Sequence, residues 1–170
     1  MDDKLLISFE RKNRVDLYST RGRKLKEIKL HKKLKHNRDF SAPNRGLESV
    51  SYSPKYGVVT IPETPLKSKK SDFHTLYAKK KSWSFYAKGK ISSIEFIDDE
   101  KLLLLIRNKA LVTVDLSLCQ NGLCMVKHLT EVSGSFEGVA KVGKKRFLAV
   151  DDNDGSFFKK THLVLFELRD

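Results

Sequence analysis

The stretch that decides the fold is Ser135-Phe136-Glu137-Gly138-Val139-Ala140, followed after one apolar strand by Asp151-Asp152-Asn153-Asp154. The residues between them, 145–150, have the composition of a strand, and a tight turn is predicted at Gly143. The pattern is therefore a strand that begins with a glutamate, a turn, and a second strand that ends in carboxylates.

The same pattern occurs twice more upstream. One copy begins with Gly46-Leu47-Glu48-Ser49-Val50 and closes with Glu63. In the copy between them, Ser92 replaces the glutamate and Arg107 replaces the closing acid, so we interpret that unit as structural. The three copies are 44 and 45 residues apart, as measured at Val50, Ile94 and Val139. A period in the mid-forties with several short strands per unit is typical of a β-propeller.

The whole chain is predicted to be all-β, because no segment shows helical periodicity over three turns and turn signals recur every ~10 residues. The predicted strands group as three, four, four and three, or about three and a half four-stranded blades, and the first group lacks its innermost strand. We interpret residues 1–170 as a single domain that forms a partial ring. It is a fragment, an open arrangement, or a ring completed by a second chain. Exposed sheet edges favour such a homo-oligomer.

Composition narrows the class of partner. The net charge of +13 is consistent with a polyanion partner or with lysines that cover every solvent face, and the scattered lysines favour the second interpretation. Residues 74–90 interleave aromatics with lysines, as nucleic-acid-binding surfaces do. However, Trp83 and Phe85 share one face of a strand and are expected to pack between blades, so a nucleic-acid partner is not expected. No apolar run reaches the ~18 residues of a membrane span.

Cys119 and Cys124 flank the strong turn signal Asn121-Gly122. They are interpreted as a disulfide across a hairpin, with free thiols and a metal site as alternatives. A disulfide favours an oxidising compartment.

Met1-Asp2-Asp3-Lys4 lacks the features of a signal peptide, and a mature exported protein would begin in the same way.

Acidic residues are predicted to converge at one end of the blades and to bind a hard cation such as Ca²⁺. The candidate metal ligands are Glu10, Glu48, Glu63, Glu137, Asp151 and Asp152. The candidate catalytic residues are Glu48, Glu137, Arg45 and Arg11, since arginine suits bidentate phosphate recognition. The alternative is structural, because glutamates at inner strands also cap backbone amides and the Asp-rich run suits a turn. We expect two other groups to be solvated. One is the turn Asp98-Asp99-Glu100 at the opposite end of its strand, and the other is the pair His31 and His36 in a loop.

Several of these motifs occur together, and in the same order, in a known family. The chain resembles the C-terminal half of the phytase-like "esterase-like activity of phytase" family over nearly its whole length. The residues that carry the resemblance are 6–11, 14–18, 44–50, 61–63, 136–140, 151–153 and 163–168.

The resemblance implies a β-propeller, mostly exported bacterial proteins, and hydrolysis of phosphoesters or esters. The true β-propeller phytases use calcium in an acidic cleft, and this chain has about half the usual family length. We therefore predict a periplasmic or secreted metal-assisted hydrolase of a small anionic or ester substrate, with a cytoplasmic location left open. The alternative function is a non-catalytic binding module whose acids are structural.

Overall fold

A computed structural model describes residues 4–34, 40, 46–152 and 160–169, and these residues form four consecutive antiparallel sheets. The sheets are propeller-like blades of three, four, four and three strands. Blade 1 contains β1 (Lys4–Phe9), β2 (Arg14–Ser19) and β3 (Lys24–Glu27). Blade 2 contains β4 (Leu47–Ser53), β5 (Gly57–Pro62), β6 (Phe73–Tyr77) and β7 (Ser82–Tyr86). Blade 3 contains β8 (Ile91–Phe96), β9 (Lys101–Ile106), β10 (Ala110–Asp115) and β11 (Val126–Glu131), and blade 4 contains β12 (Phe136–Lys141), β13 (Arg146–Asp151) and β14 (Leu163–Glu167).

The all-β prediction is confirmed. In the described part of the chain, the helical segments are the short 3-10 helices Lys32–Leu34 and Leu116–Leu118. No helix among these residues is long and apolar enough to cross a membrane.

Serine side chains join the inner strands of neighbouring blades. The Ser49 hydroxyl accepts the amide of Ile94 at 2.9 Å, and the Ser93 hydroxyl accepts the amide of Val139 at 3.0 Å. These bonds join residues 45 and 46 positions apart, in agreement with the sequence period. The strands β4, β8 and β12 therefore run side by side in the same direction.

Blade 1 meets blade 2 differently. The Ser8 hydroxyl donates to the carbonyl of Glu48, while Glu10 approaches Gly46, so β1 runs opposite to β4. In blades 2 and 3 the second strand, not the inner one, runs in that direction. Whether blade 1 has a further inner strand stays a prediction.

The hydrophobic core lies between the blades. Strand β9 is an example, because its side chains pack toward both neighbouring blades. Leu102, Leu104 and Ile106 pack toward blade 2, while Leu103 and Leu105 pack toward blade 4. A strand buried on both faces has an uninterrupted apolar sequence, as residues 102–106 do. Each fully buried leucine contributes about 1.5–3 kcal/mol.

The aromatic residues of blade 2 also pack as predicted. Trp83 and Phe85 are buried in the cluster between blades 2 and 3. His31 contradicts its prediction, because only 8% of it is exposed and its ring centroid lies 5.2 Å from that of Tyr77. The lysines that follow His31 predicted a solvent-exposed side chain, but the imidazole ring packs against Tyr77. His36 lies outside the described residues.

The predicted disulfide between Cys119 and Cys124 is confirmed. Asn121 and Gly122 both have positive φ, and Gln120 and Leu123 exchange two backbone hydrogen bonds across the turn. Such a two-residue turn matches the twist of a hairpin. It brings the two cysteine Cα atoms to 4.3 Å.

Candidate functional site

The same backbone contact marks one end of blades 2, 3 and 4. There the residue that follows the second strand donates its N–H to a carbonyl 17 residues earlier, just before the inner strand. The three pairs are Glu63 with Gly46, Arg107 with Lys90, and Asp152 with Ser135. The structure thus gives Glu63, Arg107 and Asp152 equivalent places.

A β-bulge opens each of the three inner strands. The register of strand pairing shifts around Glu48 in β4, Ser92 in β8 and Glu137 in β12. A bulge adds an unpaired residue and redirects its side chain. The repeated position that carries Glu48 and Glu137 is therefore set apart from the regular pairing. Ser92 instead donates to the carbonyl of Phe136 in blade 4 at 3.3 Å, which fits its structural interpretation.

Glu10 joins this end through close backbone packing. A Cβ atom at Gly46 would lie 2.0 Å from the carbonyl oxygen of Glu10, so only glycine allows the two segments to come this close. We call the end formed by Glu10, Glu48, Glu63 and Glu137 the acidic pole.

Glu48 lies within the electrostatic influence of the other three glutamates. The pKa of Glu48 is raised to about 7, first by partial burial and then by the charges of Glu63, Glu10 and Glu137. The charge of Arg107 acts in the opposite direction. Near neutral pH, Glu48 is therefore divided between its protonated and ionised forms.

Two cations partly neutralise the acidic pole. The Lys90 Nζ lies 2.8 Å from Glu63 Oε1, and Arg107 Nη1 lies 3.9 Å from the same oxygen. Arg107 Nη2 also forms an ion pair with Glu137 Oε1. The side chain of Glu63 is only 7% exposed, so its charge requires compensation. These contacts link blades 2, 3 and 4.

The two aspartates occupy the same end but differ from the glutamates. Asp151 accepts the backbone N–H of His162, and its Oδ2 lies 2.8 Å from His162 Nδ1. These hydrogen bonds lower the pKa of Asp151. Asp152 is placed by its backbone bond to Ser135.

The roles of the predicted arginines stay a prediction. Arg11 lies in the turn after β1, and Arg45 lies outside the described residues. Sequence reasoning missed Arg107 and Lys90 as members of the acidic pole. The period gave a usable signal for Arg107, since it places this residue at the position of Glu63 and Asp152.

Carboxylate oxygens are ligands that calcium prefers. However, Arg107 and Lys90 already engage Glu63 and Glu137. Within residues 4–34, 40, 46–152 and 160–169, no three His, Cys, Asp or Glu side chains are grouped closely enough to hold a metal ion. The described side chains therefore do not form a ready calcium site, and calcium binding stays a prediction.

The repeated blades of three or four strands, with charged groups gathered at one end, define a propeller-type protein. The chain belongs to the phytase-like family described as esterase-like activity of phytase, whose family model matches residues 1–155.

No curated protein matches this chain. Among solved structures, it is similar to the crystal structure of the N-terminal domain of Nup159, with 12% identity and a TM-score of 0.46. The similarity covers 99% of this chain and 43% of that one. A likeness of this degree says nothing about function.

Proposed function

We propose that this protein is a hydrolase of phosphoesters or carboxylic esters that acts at the acidic pole. The observation that carries the proposal is Glu48, a half-buried carboxyl among three other glutamates, with a pKa of about 7. Family membership supports the reaction class. A group with this pKa can accept a proton from water and return it to a leaving alkoxide near neutral pH.

The cations of the pole suit the substrate class. The side chain of Arg107 is 29% exposed and is anchored by Glu137, so it is fixed in position and still accessible. A guanidinium binds the anionic oxygen of a phosphoryl group or of an ester transition state. We assign Glu48 to proton transfer and Arg107 to binding this oxygen.

Hydrolysis of p-nitrophenyl phosphate and p-nitrophenyl acetate tests the proposal. Glu48→Gln should lower kcat/KM by about 100-fold or more and remove the rate change near pH 7. Glu100→Gln is the matched control, because Glu100 lies in the turn at the opposite end of its blade and is paired with Lys55. Equal rates in the wild type and Glu48→Gln would overturn the assignment.

Calcium dependence, predicted from the sequence, is the finer part of the proposal. The glutamates of the acidic pole, with Asp151 and Asp152, are the only ligands that the prediction offers, and in the described part of the structure no three acids are grouped closely enough to hold an ion, so we derive no catalytic step through calcium. The same assay in EDTA and in millimolar calcium tests this part separately. Full activity in EDTA would show that hydrolysis does not require calcium. The acid–base role of Glu48 would be unaffected by that result.

A binding platform is the second candidate function. The observation that favours it is the chain of ion pairs from Lys90 through Glu63 and Arg107 to Glu137, which joins three blades. In this case the carboxylates hold the blades together through ion pairs and take no part in catalysis. Glu63→Gln would then lower stability, while no ester substrate would be hydrolysed at any pH.

We also propose an exported location, periplasmic or secreted. The support is the disulfide between Cys119 and Cys124, since such bonds persist mainly in oxidising compartments. Alkylation of the protein from its native host, without reduction, would label neither cysteine if this is correct. Labelling of both would contradict it.

A further inference from the structure

An elongated cleft lies between the outer strands of blades 3 and 4. It consists of two cavities, with volumes of about 570 and 460 Å³. Both cavities are lined by Leu129 of β11 and by Leu168 and Arg169, which follow β14. Because they share these residues, the two cavities adjoin, and we call the whole space the interblade cleft.

The walls of the second cavity are apolar. Blade 3 contributes Leu105 and Leu111, which belong to the hydrophobic core, and Phe166 of blade 4 packs against that core. Ala149 and Val164 are partners in the pairing of β13 with β14, and both line the cavity. This part of the cleft therefore suits the apolar part of a ligand.

The first cavity carries the charge. The cations that line it are Lys101, Lys127, Lys145 and Arg169. Among the described residues around this cavity, Asp115 is the acid, and its carboxylate already accepts the backbone N–H of Ser117 at 3.0 Å. The lining is therefore positive overall.

The interblade cleft is separate from the acidic pole. Lys101 is the first residue of β9, whereas Arg107 follows the last residue of the same strand. Likewise, Lys145 precedes β13 and Asp152 follows it. The basic part of the cleft thus lies at the opposite end of both strands from the pole.

We propose that the interblade cleft binds a fatty acid, an unbranched apolar chain with a carboxylate head. Small-molecule pockets typically have 300–1,000 Å³ and mostly apolar walls with a few polar groups, as this cleft does. The cations of the first cavity complement the carboxylate. The cleft follows β11 and β14, which at ~3.3 Å per residue are about 15–20 Å long, so the chain of the ligand is expected to lie extended along the strands.

Titration calorimetry of the wild type with decanoate and dodecanoate, both as free monomers, tests the apolar contact. Each buried methylene group should strengthen binding about fourfold, so dodecanoate should bind at least about tenfold more tightly than decanoate. Dodecyltrimethylammonium has the same chain and the opposite head charge. It should bind at least about tenfold more weakly than dodecanoate.

Two pairs of variants locate the ligand. Val164→Asp places a negative charge in the apolar cavity and should weaken dodecanoate binding at least about tenfold. Leu163→Asp is its matched control, because Leu163 is the next residue on β14 and its side chain points to the opposite face. Lys127→Glu should weaken binding at least about fivefold, whereas Lys109→Glu makes the same charge change in the turn between β9 and β10, outside the cleft.

The proposal is overturned by equal affinities for decanoate and dodecanoate. It is also overturned if Lys127→Glu and Lys109→Glu weaken binding equally, because the net charge of +13 would then attract the anion in a general way. Binding to anionic phospholipid vesicles without any binding of free dodecanoate would assign the cations to a membrane surface instead.

A dimer that Val164→Asp dissociates, in a protein that binds no dodecanoate, would assign the cleft to a second copy and overturn the proposal. If Val164→Asp does not fold, the comparison of decanoate with dodecanoate in the wild type decides. Glu48→Gln should bind dodecanoate as the wild type does, so the fatty-acid proposal and the hydrolase proposal can fail separately.

Discussion

At the scale of single residues, Glu48 makes stability depend on pH in an unusual direction. Its pKa rises from 4.5 to about 7 on folding, so folding favours its protonated form. The stability that this group contributes is fully present below pH 4.5 and is lost as pH rises through 7. Glu48→Gln should therefore be more stable than the wild type at pH 8 by about 1–2 kcal/mol, after allowance for solvent screening.

Urea unfolding at pH 5 and pH 8 measures this difference. The gain in Glu48→Gln should shrink at pH 5, where the wild-type carboxyl is mostly protonated. A gain of the same size at both pH values would mean that the substitution acts through packing and not through charge.

His74 makes stability depend on pH in the opposite direction to Glu48. It is fully buried in blade 2, its Nε2 lies 2.9 Å from the carbonyl of Gly89, and its ring stacks on Phe85. Burial lowers its pKa below 6.5, so its contribution is present above pH 6.5 and is lost as pH falls through the lowered folded-state value. Replacing His74 with Gln should flatten the acid limb of the stability curve. NMR titration of the His74 ring protons in the wild type checks the cause, and a pKa above 6.5 would contradict it.

At the scale of elements, the hairpin of residues 119–124 protects an edge. The carbonyl of Gly122 accepts the Ser84 amide at 2.7 Å, and the Cys124 amide donates to Ser84 at 2.8 Å. A hairpin of blade 3 thus covers β7, the outer strand of blade 2. Covering an exposed edge limits pairing with other chains.

Removal of the disulfide should therefore weaken two blades. Cys119→Ser/Cys124→Ser should cost about 2 kcal/mol, as expected for a short closed loop. In this variant the hydrogen exchange of the Ser84 amide should speed up relative to the wild type, and by more than that of the amides of β9. Unchanged exchange at Ser84 would show that the hairpin holds its position without the disulfide.

Local rules predicted the elements well, because their signals lie within a few residues. The period at Val50, Ile94 and Val139 follows from one repeated hairpin, and Asn121-Gly122 encodes its turn directly. Contacts between blades depend on side chains far apart in sequence, so Arg107 was given no role at the acidic pole. His31 was misjudged for the same reason, since its partner Tyr77 belongs to another blade.

At the scale of the whole molecule, the two terminal blades expose apolar side chains on one face of a strand. Leu5 and Ile7 of β1 are 49% and 38% exposed, and Leu163 and Leu165 of β14 are 65% and 60% exposed. Removing this surface from water would stabilise an association. The net charge of +13 opposes association of two copies, so salt should favour it.

We propose that a second copy of the chain covers these strands and extends the row of blades. Light scattering at about 0.15 M salt should give twice the 19.5 kDa mass of the chain. Leu165→Lys should shift the protein toward the monomer by placing a charge in the contact. Leu123→Lys is the matched control, because Leu123 is 55% exposed in the hairpin of residues 119–124, outside β1 and β14. A wild-type monomer at about 50 µM, or equal dissociation by both substitutions, would contradict pairing through β1 and β14.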